Sequence, residues 1–155
     1  MLNFCWWMFC MLNELLENIM KFSLKNFSLV FAAGLWGALL NSLAVWIFGL
    51  FGITLALGVH IAPPLTPGFL YPRLVWGGLW GFLFFLPLGR LSLPARGLLL
   101  SLAPSLAQLF WVFPLKAHKG VLGLQLGLLT PVFVFFFNAI WGLAAGLWLK
   151  WVRAR

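Results

Sequence analysis

The candidate chemistry of this chain rests on isolated polar side chains set inside apolar runs: Asn41, His60, Ser101, Ser105, Gln108, Thr130 and Asn138. An amide or hydroxyl in such a place either satisfies a neighbouring helix or touches a solute, because leaving it unpaired in an apolar medium is costly. Asn41, beside Ser42 in the middle of an apolar stretch, reads as an interhelical hydrogen bond ahead of a solute contact. Ser101, Ser105 and Gln108 are spaced i, i+4, i+7 around Pro104, so one helical face carries two hydroxyls and an amide. Serines beside a mid-helix proline can bond carbonyls that the missing donor frees; the other reading is a pore lining. Gly123 and Gly127, then Asn138, Gly142 and Gly146, form a four-residue small or polar stripe that implies packing throughout the segment, and Thr130-Pro131 is a candidate helix break. His60 could titrate or ligate, although a lone histidine at a helix end also serves as an interfacial anchor.

Other chemistry is absent by residue type. The two acids are Glu14 and Glu17, so nothing from residue 18 onward supplies a proton relay, a cation site or a carboxylate general base. Cys5 and Cys10 have no histidine nearby and make no zinc pattern. His60 and His118 fall at the ends of apolar runs. No phosphate loop, zinc-protease helix or nucleophile elbow occurs. The expectation is a protein without catalytic residues, metal or cofactor.

The elements that carry these residues are hydrophobic beyond what water allows. Of 155 residues 64% are hydrophobic and 8% charged, with a mean hydropathy of +1.06, against about 25% charged in soluble domains. Gly120 to Leu149 holds thirty consecutive residues without a charge, and about twenty suffice to cross a bilayer. The net charge of +8 does not mark a nucleic-acid binder, because the basic residues punctuate apolar runs rather than lining one face.

Along the chain, residues 1–27 form a distinct segment, with all four methionines, both cysteines and both acids in the first twenty positions. It is either an interfacial helix capped at Asn13, with Leu15, Leu16, Ile19 and Met20 beside the headgroups, or sequence upstream of a start at Met20. Residues 28–155 form a membrane domain. Its first span, Ser28 to Phe51, carries Ala33, Gly34, Gly37, Ala38 and Ser42 as a close-packing face. Four prolines then make Ile61 to Arg73 a rigid interfacial or slightly re-entrant loop. The second span, Leu74 to Leu88, is short and needs Arg73 and Arg90 to snorkel to opposite interfaces.

A basic turn from Gly89 to Arg96 leads to the third span, Gly97 to Leu115. The fourth segment, Gly120 to Leu149, is too long for one upright crossing: it either tilts or breaks at Thr130-Pro131, with Gln125 turned toward protein. Four spans leave seven basic residues on one side (Lys21, Lys25, Arg90, Arg96, Lys150, Arg153, Arg155) and three on the other (Arg73, Lys116, Lys119). The positive-inside rule then puts both termini in the cytoplasm.

The fold expected is therefore all-α: a polytopic membrane protein of four transmembrane helices in a small bundle, with a Pro-rich interfacial loop between spans 1 and 2. The Gly-rich first span followed by Pro63-Pro64-Leu65-Thr66-Pro67, and Ala107-Gln108-Leu109-Phe110 followed by Phe113-Pro114-Leu115, resemble the YagU-like family of small bacterial inner-membrane proteins. The resemblance implies an inner-membrane location and supplies no catalytic residue. Two functions are open. Three GxxxG faces (Gly77/Gly81, Gly123/Gly127, Gly142/Gly146) suggest a non-enzymatic protein that acts by packing in lipid, as a homo-oligomer or with other membrane subunits. The Pro104 and Pro131 breaks, the inward polar residues and the missing acids suggest a small carrier or channel for a neutral or anionic solute.

Overall fold

The computed structural model describes residues 24–88 and 91–153 in full and the backbone helix of residues 2–23. The expectations for Cys5, Cys10, the headgroup contacts of Leu15, Leu16, Ile19 and Met20, and the snorkelling of Arg90 lie outside the described residues. Among the described residues all regular structure is helical. In chain order come α1 (Leu2–Leu50), the single turn α2 (Ile53–Ala56), α3 (Pro67–Trp80) continued by a 3₁₀ turn (Gly81–Phe85), α4 (Leu93–Leu100), α5 (Leu102–Ala107), a π-wound stretch (Gln108–Lys116), a broken 3₁₀ stretch (Val121–Leu126) and α6 (Thr130–Arg153).

Among the described residues three segments are long and apolar enough to cross a membrane: Leu24–Leu50, Leu93–Lys116 and Thr130–Arg153, of 27, 24 and 24 residues. At 1.5 Å per residue they measure roughly 36–40 Å, against roughly 30 Å of hydrocarbon. Their outward faces are apolar, with Leu98, Leu99, Leu102, Leu106, Leu143 and Leu147 exposed. That exposure suits lipid as the solvent and would be an aggregating patch in water.

Prolines set the local geometry, in places against expectation. Residues 59–66 are irregular, but helix α3 already starts at Pro67, where the missing N–H is one that a helix start leaves unpaired anyway. The Thr66 hydroxyl caps it by accepting from the Phe69 amide at 3.3 Å. Pro72 lies inside the helix and strands only the carbonyl of exposed Gly68. The loop predicted for Ile61 to Arg73 is thus shorter, and the helix predicted from Leu74 begins seven residues earlier. In the Leu93–Lys116 segment, Pro104 removes the donor to the Leu100 carbonyl and the α-winding is interrupted at Ser101. Pro114 falls in the wide π turns, where the Ala117 amide reaches the Val112 carbonyl at 2.9 Å.

The Gly120 to Leu149 segment is broken rather than tilted. Leu122 and Gly123 have φ of 60° and 70°, a left-handed pair that ends any helix, and α6 begins afresh at Thr130. Helical facing therefore does not extend through this stretch. Gln125, expected to face protein, is exposed, and Gly123 and Gly127 are turn glycines rather than a helix-packing pair.

The helices run up and down in the spatial order α3, α1, α6, α4. Gly34 lies against Gly77, Gly78 and Gly81, and Gly81 against the Val30 carbonyl. Across α6, Gly37 meets Trp141, whose indole donates to the Gly34 carbonyl at 3.1 Å. Gly97 and Gly142 touch backbone to backbone, and Gly146 sits on Leu93 and Pro94. Gly127 lies against the Gly58 carbonyl. Both helical GxxxG pairs, Gly77/Gly81 and Gly142/Gly146, are occupied within the chain, where contact by small residues replaces the hydrophobic drive that lipid does not provide. Val30, Ala33, Phe84, Leu100, Trp141 and Leu149 form the core at the end where the termini of the membrane domain meet. Val45, Val59, Phe133 and Phe137 fill the other end under the irregular loop.

Candidate functional site

The four long elements converge on one polar cluster. Helix α1 carries Asn41 and Ser42, both buried; α3 carries Arg73; α6 carries Asn138, also buried; and the π stretch begins with Gln108. The Arg73 guanidinium donates from Nη2 to Asn41 Oδ1 at 2.6 Å and from Nε to Ser42 Oγ at 3.0 Å. Its carbon lies 4.8 Å from the centre of the Phe69 ring, a cation–π contact one helical turn away. Asn41 passes the chain on, donating from Nδ2 to the Phe137 carbonyl at 2.8 Å and, more weakly, to Asn138 Oδ1 at 3.4 Å. The Asn138 amide in turn donates to Gln108 Oε1 over a long 3.5 Å.

Arg73 was expected to snorkel outward, and it points inward instead. A guanidinium packed among helices takes the acceptors nearest to it. Here an amide and a hydroxyl on α1 are within reach, while the start of α3 at Pro67 lies roughly 9 Å away along the helix at 1.5 Å per residue. Its protein partners are neutral, since no carboxylate follows residue 17. The two bonds use the Nε proton and one Nη2 proton, so the second Nη2 proton and both Nη1 protons, three of the five donors of the group, keep their capacity.

Two cavities meet at this cluster. The larger, of about 720 Å³, lies between α3 and the α5–π segment, floored by α1 and α6. Trp76, Trp80, Trp111 and Lys116 border it. The smaller, of about 390 Å³, lies under the irregular loop with His60 at its edge and Phe113 and Val134 at its base. Asn41, Arg73 and Gln108 line both. The larger volume falls within the range of small-molecule sites, roughly 300–1,000 Å³.

The other candidates are distributed differently. Ser101 donates to the Leu98 carbonyl at 2.7 Å and Ser105 to the Ser101 carbonyl at 2.8 Å, so both hydroxyls close onto their own helix and neither borders a cavity. Asn138 and Gln108 face the larger cavity. His60 is exposed, its backbone amide held by the Leu126 carbonyl at 2.7 Å. His118 is exposed at a left-handed corner with φ of 51°. Among the described residues no group of three His, Cys, Asp or Glu is arranged to hold a metal.

Thr130 is fully buried and its Oγ1 has no partner. It lies beside Gly123 and borders neither cavity, so its hydroxyl forgoes hydration without return. Thr130→Val, which keeps the shape and removes that hydroxyl, is expected to leave stability unchanged or to raise it by about 1 kcal/mol. Thermal unfolding in detergent checks this, and a loss above about 1 kcal/mol would show that the hydroxyl has a partner.

Comparison of the chain with protein-family models, curated proteins and solved structures finds no match, so the functional reading rests on the site.

Proposed function

We propose that this chain is a non-enzymatic, four-pass protein of the bacterial inner membrane, both termini cytoplasmic, that binds and carries an anionic solute at Arg73. The fourth pass in this reading is α3 with its 3₁₀ continuation, about 31 Å long from rises of 1.5 and 2.0 Å per residue. One observation carries the functional part: the Arg73 guanidinium, packed among the helices, bonds only neutral protein groups and keeps donors beside a cavity. An Arg at the centre of a membrane helix costs about 2.5–3.5 kcal/mol on insertion scales, which is an upper bound for Arg73, six residues from the start of α3. A fold that needed only packing would do better with an apolar residue here. Lys116 adds a second cation at the cavity's edge, and the absence of acids past Glu17 leaves that positive field unopposed.

Action by packing alone, the other expectation, was motivated by spare GxxxG faces; Gly77/Gly81 and Gly142/Gly146 already have partners within the chain, and Gly123/Gly127 is not a helical face. The test is counterflow of labelled anions in proteoliposomes. At least one organic or inorganic anion should show saturable exchange, and Gln108→Leu should slow it at least tenfold while the protein stays monodisperse. If no anion in a broad panel exchanges, and none raises the unfolding temperature, the reading fails.

A further inference from the structure

The larger cavity is polarised along the helix axes. Counted from the end of each helix nearest the irregular loop, the polar residues come first. Lys116 ends its helix, Arg73 lies six residues in, and Gln108 and Asn138 lie eight residues in. At 1.5 Å per residue that is a layer within roughly 12 Å of that end. The lining beyond it is Ala38, Trp80, Pro104 and Trp141, all without charge. Trp76 and Trp111 flank the opening between α3 and the π stretch and are more than half exposed, 56% and 63%. In a membrane that exposure is to lipid.

From this gradient we infer that the solute is an amphiphile with an anionic oxygen head and an apolar chain, taken up sideways from the surrounding leaflet. The inference rests on the anion reading above and adds the chain and the route. A leaflet lipid already stands with its charged head near the interface and its chain toward the midplane. It would thus slide between the tryptophans without turning, head against Arg73 and Lys116, chain along Trp80 and Trp141. A carboxylate or phosphate presents two oxygens to the Nη1–Nη2 end, where one proton on each nitrogen points outward in parallel, the pairing at which guanidinium excels. A small aqueous anion would gain nothing from the uncharged inner half of the cavity.

The test is equilibrium binding to the full chain in nanodiscs of phosphatidylcholine, with labelled oleate and labelled oleoyl-lysophosphatidate as probes. Oleyl alcohol, acetate and inorganic phosphate serve as competitors. Saturable binding of at least one probe near one per chain is expected, weakened at least tenfold by Arg73→Gln and several-fold by Lys116→Gln and Trp80→Ala. Hundredfold excesses of alcohol, acetate or phosphate should not displace it. Lys116 is exposed at the edge, so its variant keeps the test open should Arg73→Gln misfold. Displacement by acetate or phosphate at concentrations matching the probe would overturn the amphiphile while leaving an anion site. Equal displacement by oleyl alcohol, or no saturable binding of any anion, would overturn both.

Discussion

Asn41→Leu is expected to destabilise the chain by about 1.5–3 kcal/mol, the range for a hydrogen bond to a charged group. Asn41 accepts from Arg73 and donates to the Phe137 carbonyl, so leucine leaves a guanidinium short of its nearest acceptor and a carbonyl without its amide donor. Ser42 remains, but one hydroxyl does not replace an amide oxygen at 2.6 Å. The loss should belong mostly to the stranded charge. Arg73→Met in the Asn41→Leu background should therefore recover most of it, since replacing a buried polar pair by apolar residues of similar volume is often near neutral. Unfolding of both single variants and the double in one detergent gives the coupling energy. A loss for Asn41→Leu below about 1 kcal/mol, or no recovery in the double, would mean that Arg73 has another place to go.

The second large effect is expected where α4 crosses α6. A Cβ on Gly97 would run into the Gly142 carbonyl, and one on Gly142 into the Gly97 carbonyl. The obstacle is backbone on both sides, and neither helix can yield without parting the contact. Gly97→Ala should cost at least about 3 kcal/mol, the upper end for overpacking, and Gly142→Leu should give no monodisperse protein. Gly68, in the first turn of α3, has nothing within 4 Å of an added Cβ. Gly68→Ala is therefore the control, neutral or stabilising by up to about 1 kcal/mol through helix propensity. Equal tolerance at Gly97 and Gly68, read as yield and unfolding temperature, would refute the close crossing.

Much of the scaffold could be read from residue order because its causes are local. Uncharged length marks segments able to cross a membrane, and small residues such as Gly34 and Gly142 mark close approach. The prolines were informative in part. Thr130-Pro131 does open a helix, whereas Pro67 and Pro72 were assigned to a loop although Pro67 occupies the one helical turn that tolerates its missing donor. Gln125 was misplaced for a related reason: extending a helical stripe across Leu122 and Gly123 assumes a winding that their positive φ abolishes.

The site was legible only as separate residues. Asn41, Gln108 and Asn138 were marked as polar groups that need partners, while Arg73 was set aside as a flank. Composition held one further clue, since a cation beside a span in a domain without acids has no ion partner in its own chain.

Sequence alone determined the solvent that suits this chain, its helical class and the rough extent of its long apolar segments, because hydropathy and charge act over a few neighbouring residues. Which way Arg73 turns, and whether the polar residues share a cavity, was decided by tertiary structure. The acceptors that hold it lie 31 and 32 residues earlier in the chain, and only the glycine contact between α1 and α3 brings them within a hydrogen bond's length.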